Sequence, residues 1–154
     1  MFTRRRFLEA SVGTVALLGG CTAEGQNART ALPIPELVDA RNQNGAIKLI
    51  AAEGQHAFLP GRPTKTYGFS APYLGPVVRI HKGDEVEFTV ENRLDRAATA
   101  HWHGVLVPAA LDGGPHALIR PGGLWRPVLK IDQPEPTAWY PSHPHGDTGR
   151  QVYM

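Results

Sequence analysis

Polar and apolar positions alternate most cleanly in DEVEFTVEN, residues 84–92. Val86, Phe88 and Val90 stand two apart, with Glu85, Glu87, Thr89 and Glu91 between them. Side chains two apart on a strand share a face, so this stretch predicts a strand with one face on a core and the other in water. The turn-like HKGD, residues 81–84, introduces it. Shorter apolar or β-branched runs predict further strands at 46–53, 65–69, 76–80, 99–103, 124–131 and 137–141. Within the run 124–131, Pro127 has no N–H to give to a ladder and marks an edge or a bulge. LPIPEL, residues 32–37, carries two prolines and does not start a regular element. Residues 24–44 read as a tether and lead-in, and 45–154 as the folded domain. No sequence repeat and no amphipathic helical run follows Cys21. Short strands at this spacing predict an all-β fold, an antiparallel sandwich or barrel.

Composition agrees with that pattern. The 154 residues suffice for one domain with one modest core. Glycine (17) and proline (14) are abundant, which favours short strands and turns over long helices. The net charge of +2 misleads. Three of the sixteen basic residues, Arg4 to Arg6, and one of the fourteen acidic ones, Glu9, precede Cys21. The body is therefore neutral, and nucleic-acid binding gets no support. Cys21 is the only cysteine, so no disulfide can form within the chain and no metal site in the body can use a thiolate.

The first residues read as an address. TRRRFL is followed by an apolar run of about ten residues, too short for a stable bilayer span. Arg4-Arg5, a spacer and Phe7-Leu8 resemble a twin-arginine (Tat) signal. LGGC resembles a lipobox, in which case Cys21 becomes the lipidated first residue. The competing reading is simple cleavage after Ala23. On either reading residues 1–23 are an export signal, and the protein is expected outside the inner membrane, periplasmic or anchored to it.

The candidate chemistry lies in two histidine pairs, His101/His103 in HWHG and His143/His145 in HPHG. At this histidine content an H-x-H arises by chance about 0.3 times in the chain, so two are poorly explained by chance. On a strand, residues i and i+2 face the same way with Cβ atoms roughly 6.6 Å apart. His101 and His103 then share a face while Trp102 points to the core. Pro144 makes the second pair a strand end or loop. Two pairs brought together give four convergent imidazoles, a donor set suited to Zn, Cu, Fe or Ni. Gly104 and Gly146 are expected to allow close backbone approach. A zinc hydrolase would want three ligands, an open position and a nearby acid. A cupin-type site would want an acid four or five residues beyond its H-x-H, where Leu106, Val107 and Pro108 stand. His56, His81 and His116 are isolated and read as ordinary surface residues.

HWHG, DGGP, PGG, DQPEPTAWY and HPHGDTGRQ together resemble the first domain of a multicopper oxidase, most like the bacterial copper-efflux (cuprous) oxidase branch. The resemblance runs from LPIPEL through YLGPVVRIHKGDEVEFTVENRL to the end of the chain. It implies a cupredoxin-like Greek-key β-sandwich. It also implies a copper enzyme of three domains that takes electrons from Cu(I) or a phenolic donor and reduces O2 to water. By position, His101 would bind the type 2 copper, and His103, His143 and His145 the type 3 pair of a trinuclear cluster. Asp112 matches an acid that assists proton delivery, and it equally suits a turn before Gly-Gly.

The resemblance also sets expectations of absence. The type 1 copper site and the remaining cluster ligands belong to the family's last domain, so this chain offers half of the cluster. It stops before the apolar strand expected to close the domain, reads as an N-terminal piece, and is expected not to turn over without the C-terminal cupredoxin domains. Pro141-Ser142 stands where many relatives have His-Pro. Two rival readings share the fold: a copper-free scaffold like the family's exported cell-division relatives, and a stand-alone periplasmic copper-binding fragment.

Overall fold

The computed structural model describes residues 32–154; the signal and lipobox readings lie outside them. Residues Ile34–Met154 form one compact unit. Its strands are β1 (Leu37–Asp39), β2 (Ala46–Leu59), β3 (Arg62–Phe69), β4 (Val77–Arg79), β5 (Glu85–Asn92), β6 (Leu124–Trp125) and β7 (Val128–Lys130). One sheet runs in the order β3-β2-β5-β6, with β7 also on β5, and a second sheet pairs β1 with β4 in parallel. The pairing of β2 with β5 is parallel, and those of β2 with β3 and of β5 with β6 and β7 are antiparallel. The lead-in thus enters the fold: β1 and the 3-10 turn Ala40–Gln43 continue directly from LPIPEL, once its prolines are past.

The alternation of β5 places Val86, Phe88 and Val90 at 2% exposure or less. With Ile47 and Leu49 of β2, Leu129 of β7, Trp102 and Ile119 they build the main core. Val38 and Val78 pack on it from the smaller sheet, so the core is the filling of a sandwich. Burying a side chain such as Phe88 contributes about 1.5–3 kcal/mol. The indole packs against Phe88, with ring centroids 4.4 Å apart, and stacks towards Trp125 at 6.0 Å.

Three expectations are corrected. The run 124–131 is split into β6 and β7 at Arg126-Pro127. Pro127 is fully buried, and its carbonyl accepts from Phe88 N. The segments 99–103 and 137–141 make no ladder, only the isolated bridge His103↔Trp139. The cause is that their bonds are shared out: His101 N donates to Pro141 O, Trp102 N to Asp112 O, and His103 N to both Trp139 O and His101 O. Successive bonds go to the 139–141 segment, the Asp112 loop and the segment's own turn, so no continuous ladder forms. A short helix, α1 (Thr148–Tyr153), follows the second histidine pair where no helix was expected; at six residues it has no apolar period to read.

Candidate metal centre

The first pair is carried on a kinked stretch whose Trp102 is 95% buried while His101 is half-buried and His103 exposed. The intended division holds: indole inward, imidazoles outward. The rings of His101 and His103 lie edge to face, centroids 5.5 Å apart.

The second pair is brought alongside by a reciprocal polar clasp. Thr99 N donates to Ser142 Oγ (2.9 Å), and His143 N donates back to Thr99 Oγ1 (2.6 Å). Ser142 Oγ donates to Gln151 Oε1 (2.7 Å). The amide of Gln151, on α1, then donates to Ala97 O (2.9 Å) and to Asp147 Oδ2 (2.8 Å). Thr99, Ser142 and Gln151 are all buried. As a result His143 stands 5.5 Å from His101, ring to ring, again edge to face.

Three of the four imidazoles are therefore gathered. His145 is exposed in the turn before α1 and makes none of these ring contacts. Among the described residues no three His, Cys, Asp or Glu side chains converge as one ion-binding group.

The glycines act differently from expectation. A Cβ on Gly146 would meet nothing within 4 Å, and one on Gly104 would approach only Ala138, at 3.7 Å. Their φ angles of +79° and +89° explain them instead. Close approach belongs to Gly113, where a Cβ would sit 1.9 Å from Ala100 O.

Asp112 touches the site through its backbone. Its carbonyl accepts from His101 Nδ1 at 2.9 Å and from Trp102 N at 2.9 Å. Its carboxylate caps the turn, accepting from Gly114 N at 2.8 Å. A carbonyl can only accept, so Nδ1 of His101 carries a proton, and in the uncharged ring Nε2 is the nitrogen with the lone pair. His143 is biased the same way. Thr148 Oγ1 spends its proton on Pro144 O (2.8 Å), so its 3.4 Å contact with His143 Nδ1 leaves the ring nitrogen as donor. Neutral imidazoles with Nδ1 held and Nε2 open are ready metal ligands. The donor set fits copper.

The remaining histidines are not featureless. His56 stacks on Tyr73 (5.2 Å) and meets Phe58 edge-on (4.7 Å). His81 lies 3.7 Å from Asp39. His116 Nε2 is 2.8 Å from Ala109 O. Ser142, Thr99 and Gln151 were missed because the bonds that join them across the site, Thr99 to Ser142 and Gln151 to Ala97, link residues more than forty positions apart.

A family model described as multicopper oxidase matches residues 51–153. The chain belongs to the multicopper oxidase family. Among its relatives is a cell division protein FtsP of Edwardsiella tarda, 40% identical over 97% of this chain and 31% of its own length. Another is a multicopper oxidase of Staphylococcus aureus, 34% identical over 86% of this chain and 30% of its own. Among solved structures, a laccase-like multicopper oxidase CueO from Ochrobactrum sp. superposes with a TM-score of 0.76 at 43% identity, covering 79% of this chain and 27% of that one. A laccase from Pediococcus acidilactici gives 0.73 at 35% identity, over 79% and 27%. The fold is thus the cupredoxin-like sandwich of this multicopper oxidase family, and the chain spans about a third of the length of the curated relatives it matches.

Proposed function

We propose that the chain contributes His101, His103, His143 and His145 to a copper centre completed by further cupredoxin domains, and that the complete centre oxidises Cu(I) or a phenol-like donor. The observation that carries this reading is the gathering of three imidazoles with Nδ1 of His101 committed to the Asp112 carbonyl. His101 would hold the type 2 copper, and the other three the type 3 pair. Bound there, copper would supply the one-electron chemistry by which electrons from the donor reduce O2 to water. The residues of this chain bind and orient. The Asp112 carbonyl holds the His101 ring, the Ser142–Thr99–Gln151 clasp holds His143, and Trp102 fixes the first pair by its burial. The Asp112 carboxylate, half-buried and held by Gly114 N, would assist proton delivery in the completed centre.

The match to proteins named for cell division favours a second reading, a copper-free scaffold. The two readings separate on metal binding. Titration of the full chain with Cu(II) against a competing chelator should show binding of modest affinity, lost when His101 and His143 are both replaced by Ala. Binding that survives this double substitution overturns the assignment of copper to these histidines, and no binding at all leaves the scaffold. O2 consumption is expected only once the partner domains are supplied.

A further inference from the structure

His116 lies on the surface beyond Asp112, outside the two histidine pairs. Its Nε2 is 2.8 Å from Ala109 O and 3.4 Å from Asp112 Oδ1. Because Ala109 O can only accept, Nε2 carries a proton, and that N–H faces both the carbonyl and the carboxylate. One imidazole thus bridges the start of the loop, at the 3-10 turn Ala109–Leu111, and its acid. Without that bridge the turn is closed by Leu111 N to Pro108 O and by a long 3.5 Å contact from Asp112 N to Ala109 O. The height of this loop matters. Gly113 is pressed onto the Ala100 carbonyl, and the Asp112 carbonyl next to it reaches His101 Nδ1.

We propose that His116 is a positioning residue for the metal centre. Its Nε2–H clamps Ala109 O and the Asp112 carboxylate, so that the Asp112 carbonyl keeps the His101 ring with Nδ1 protonated and Nε2 presented to the ion. The inference rests on the reading of His101 as a copper ligand. Outer partners that orient a ligating imidazole typically matter roughly 10–100-fold in metal affinity.

The test uses the full chain as wild type, His116→Gln, His116→Ala and His101→Ala. Glutamine can place an amide N–H where the imidazole Nε2–H sits, and it does not titrate. The first readout is the His101 tautomer in the metal-free protein, from long-range proton–nitrogen NMR correlations. The second is Cu(II) affinity by chelator competition. Wild type and His116→Gln should show His101 as the single Nδ1–H tautomer and bind copper alike. His116→Ala should mix the tautomers and weaken copper roughly 10–100-fold. An alanine variant with an unmixed tautomer and unchanged affinity overturns the proposal, and so does a glutamine variant as impaired as alanine. If His101→Ala leaves copper binding unchanged while His116→Ala still mixes the tautomers, the copper assignment fails and the clamp stands. The reverse result removes the clamp and keeps the copper reading.

Discussion

Ser142 shows how much one small side chain can carry at this site. Its hydroxyl accepts from Thr99 N and donates to Gln151, at 8% exposure. Replacing it with Ala leaves a buried N–H and an amide oxygen without partners, each the kind of loss that costs about 1–3 kcal/mol. We predict that Ser142→Ala lowers the free energy of unfolding by about 2–6 kcal/mol in a urea titration and weakens Cu(II) binding through the displaced His143. Unchanged stability with unchanged copper affinity would show that the clasp is dispensable. The four histidines were legible in the sequence because a repeated H-x-H is rare and because i and i+2 have a geometric meaning. Ser142 was not: beside a motif proline it looks like a neutral replacement, and its partners are named only by the fold. Asp112 was half legible, since the turn was foreseen but the use of its carbonyl on His101 was not.

At the scale of elements, β5 was read from its alternation alone, because one of its faces lies on the core and the other is left to solvent. On that outer face Glu91 meets Lys48 of β2 at 2.9 Å and Arg93 at 2.6 Å. Their hydrogen bonds, Arg93 first, hold the Glu91 carboxyl down at about 2, against an ordinary 4.5. A carboxyl lowered by folding contributes stability that is present above 4.5 and is lost as the pH falls towards 2. Tyr140 shows the opposite sign. Burial pushes its phenol up to about 12 from 10, so its contribution is present below 10 and disappears as the pH rises towards 12. Unfolding midpoints measured across pH should therefore drop at both ends, with Glu91→Gln flattening the acid limb and Tyr140→Phe the alkaline one. The segments 99–103 and 137–141 read as strands but form no ladder, because their backbone bonds are divided among several loops, which no local pattern records.

For the whole molecule, the site is assembled from distant parts of the chain. Thr99 and Ser142 are 43 positions apart, and Ala97 and Gln151 are 54. Bringing such ends together costs about 3 kcal/mol of chain entropy before any contact is made. In the unfolded chain only two imidazoles, one H-x-H at a time, are close enough to meet the same ion. The clasp between the pairs therefore sets an order of events: the polypeptide closes the clasp first, and the metal arrives at a half-site already shaped. Copper would then act as a latch on departure and not as a seed. Stopped-flow refolding rates should be the same with and without Cu(II), while unfolding slows when it is bound. Refolding accelerated by the ion would mean that the pairs meet earlier than the clasp implies.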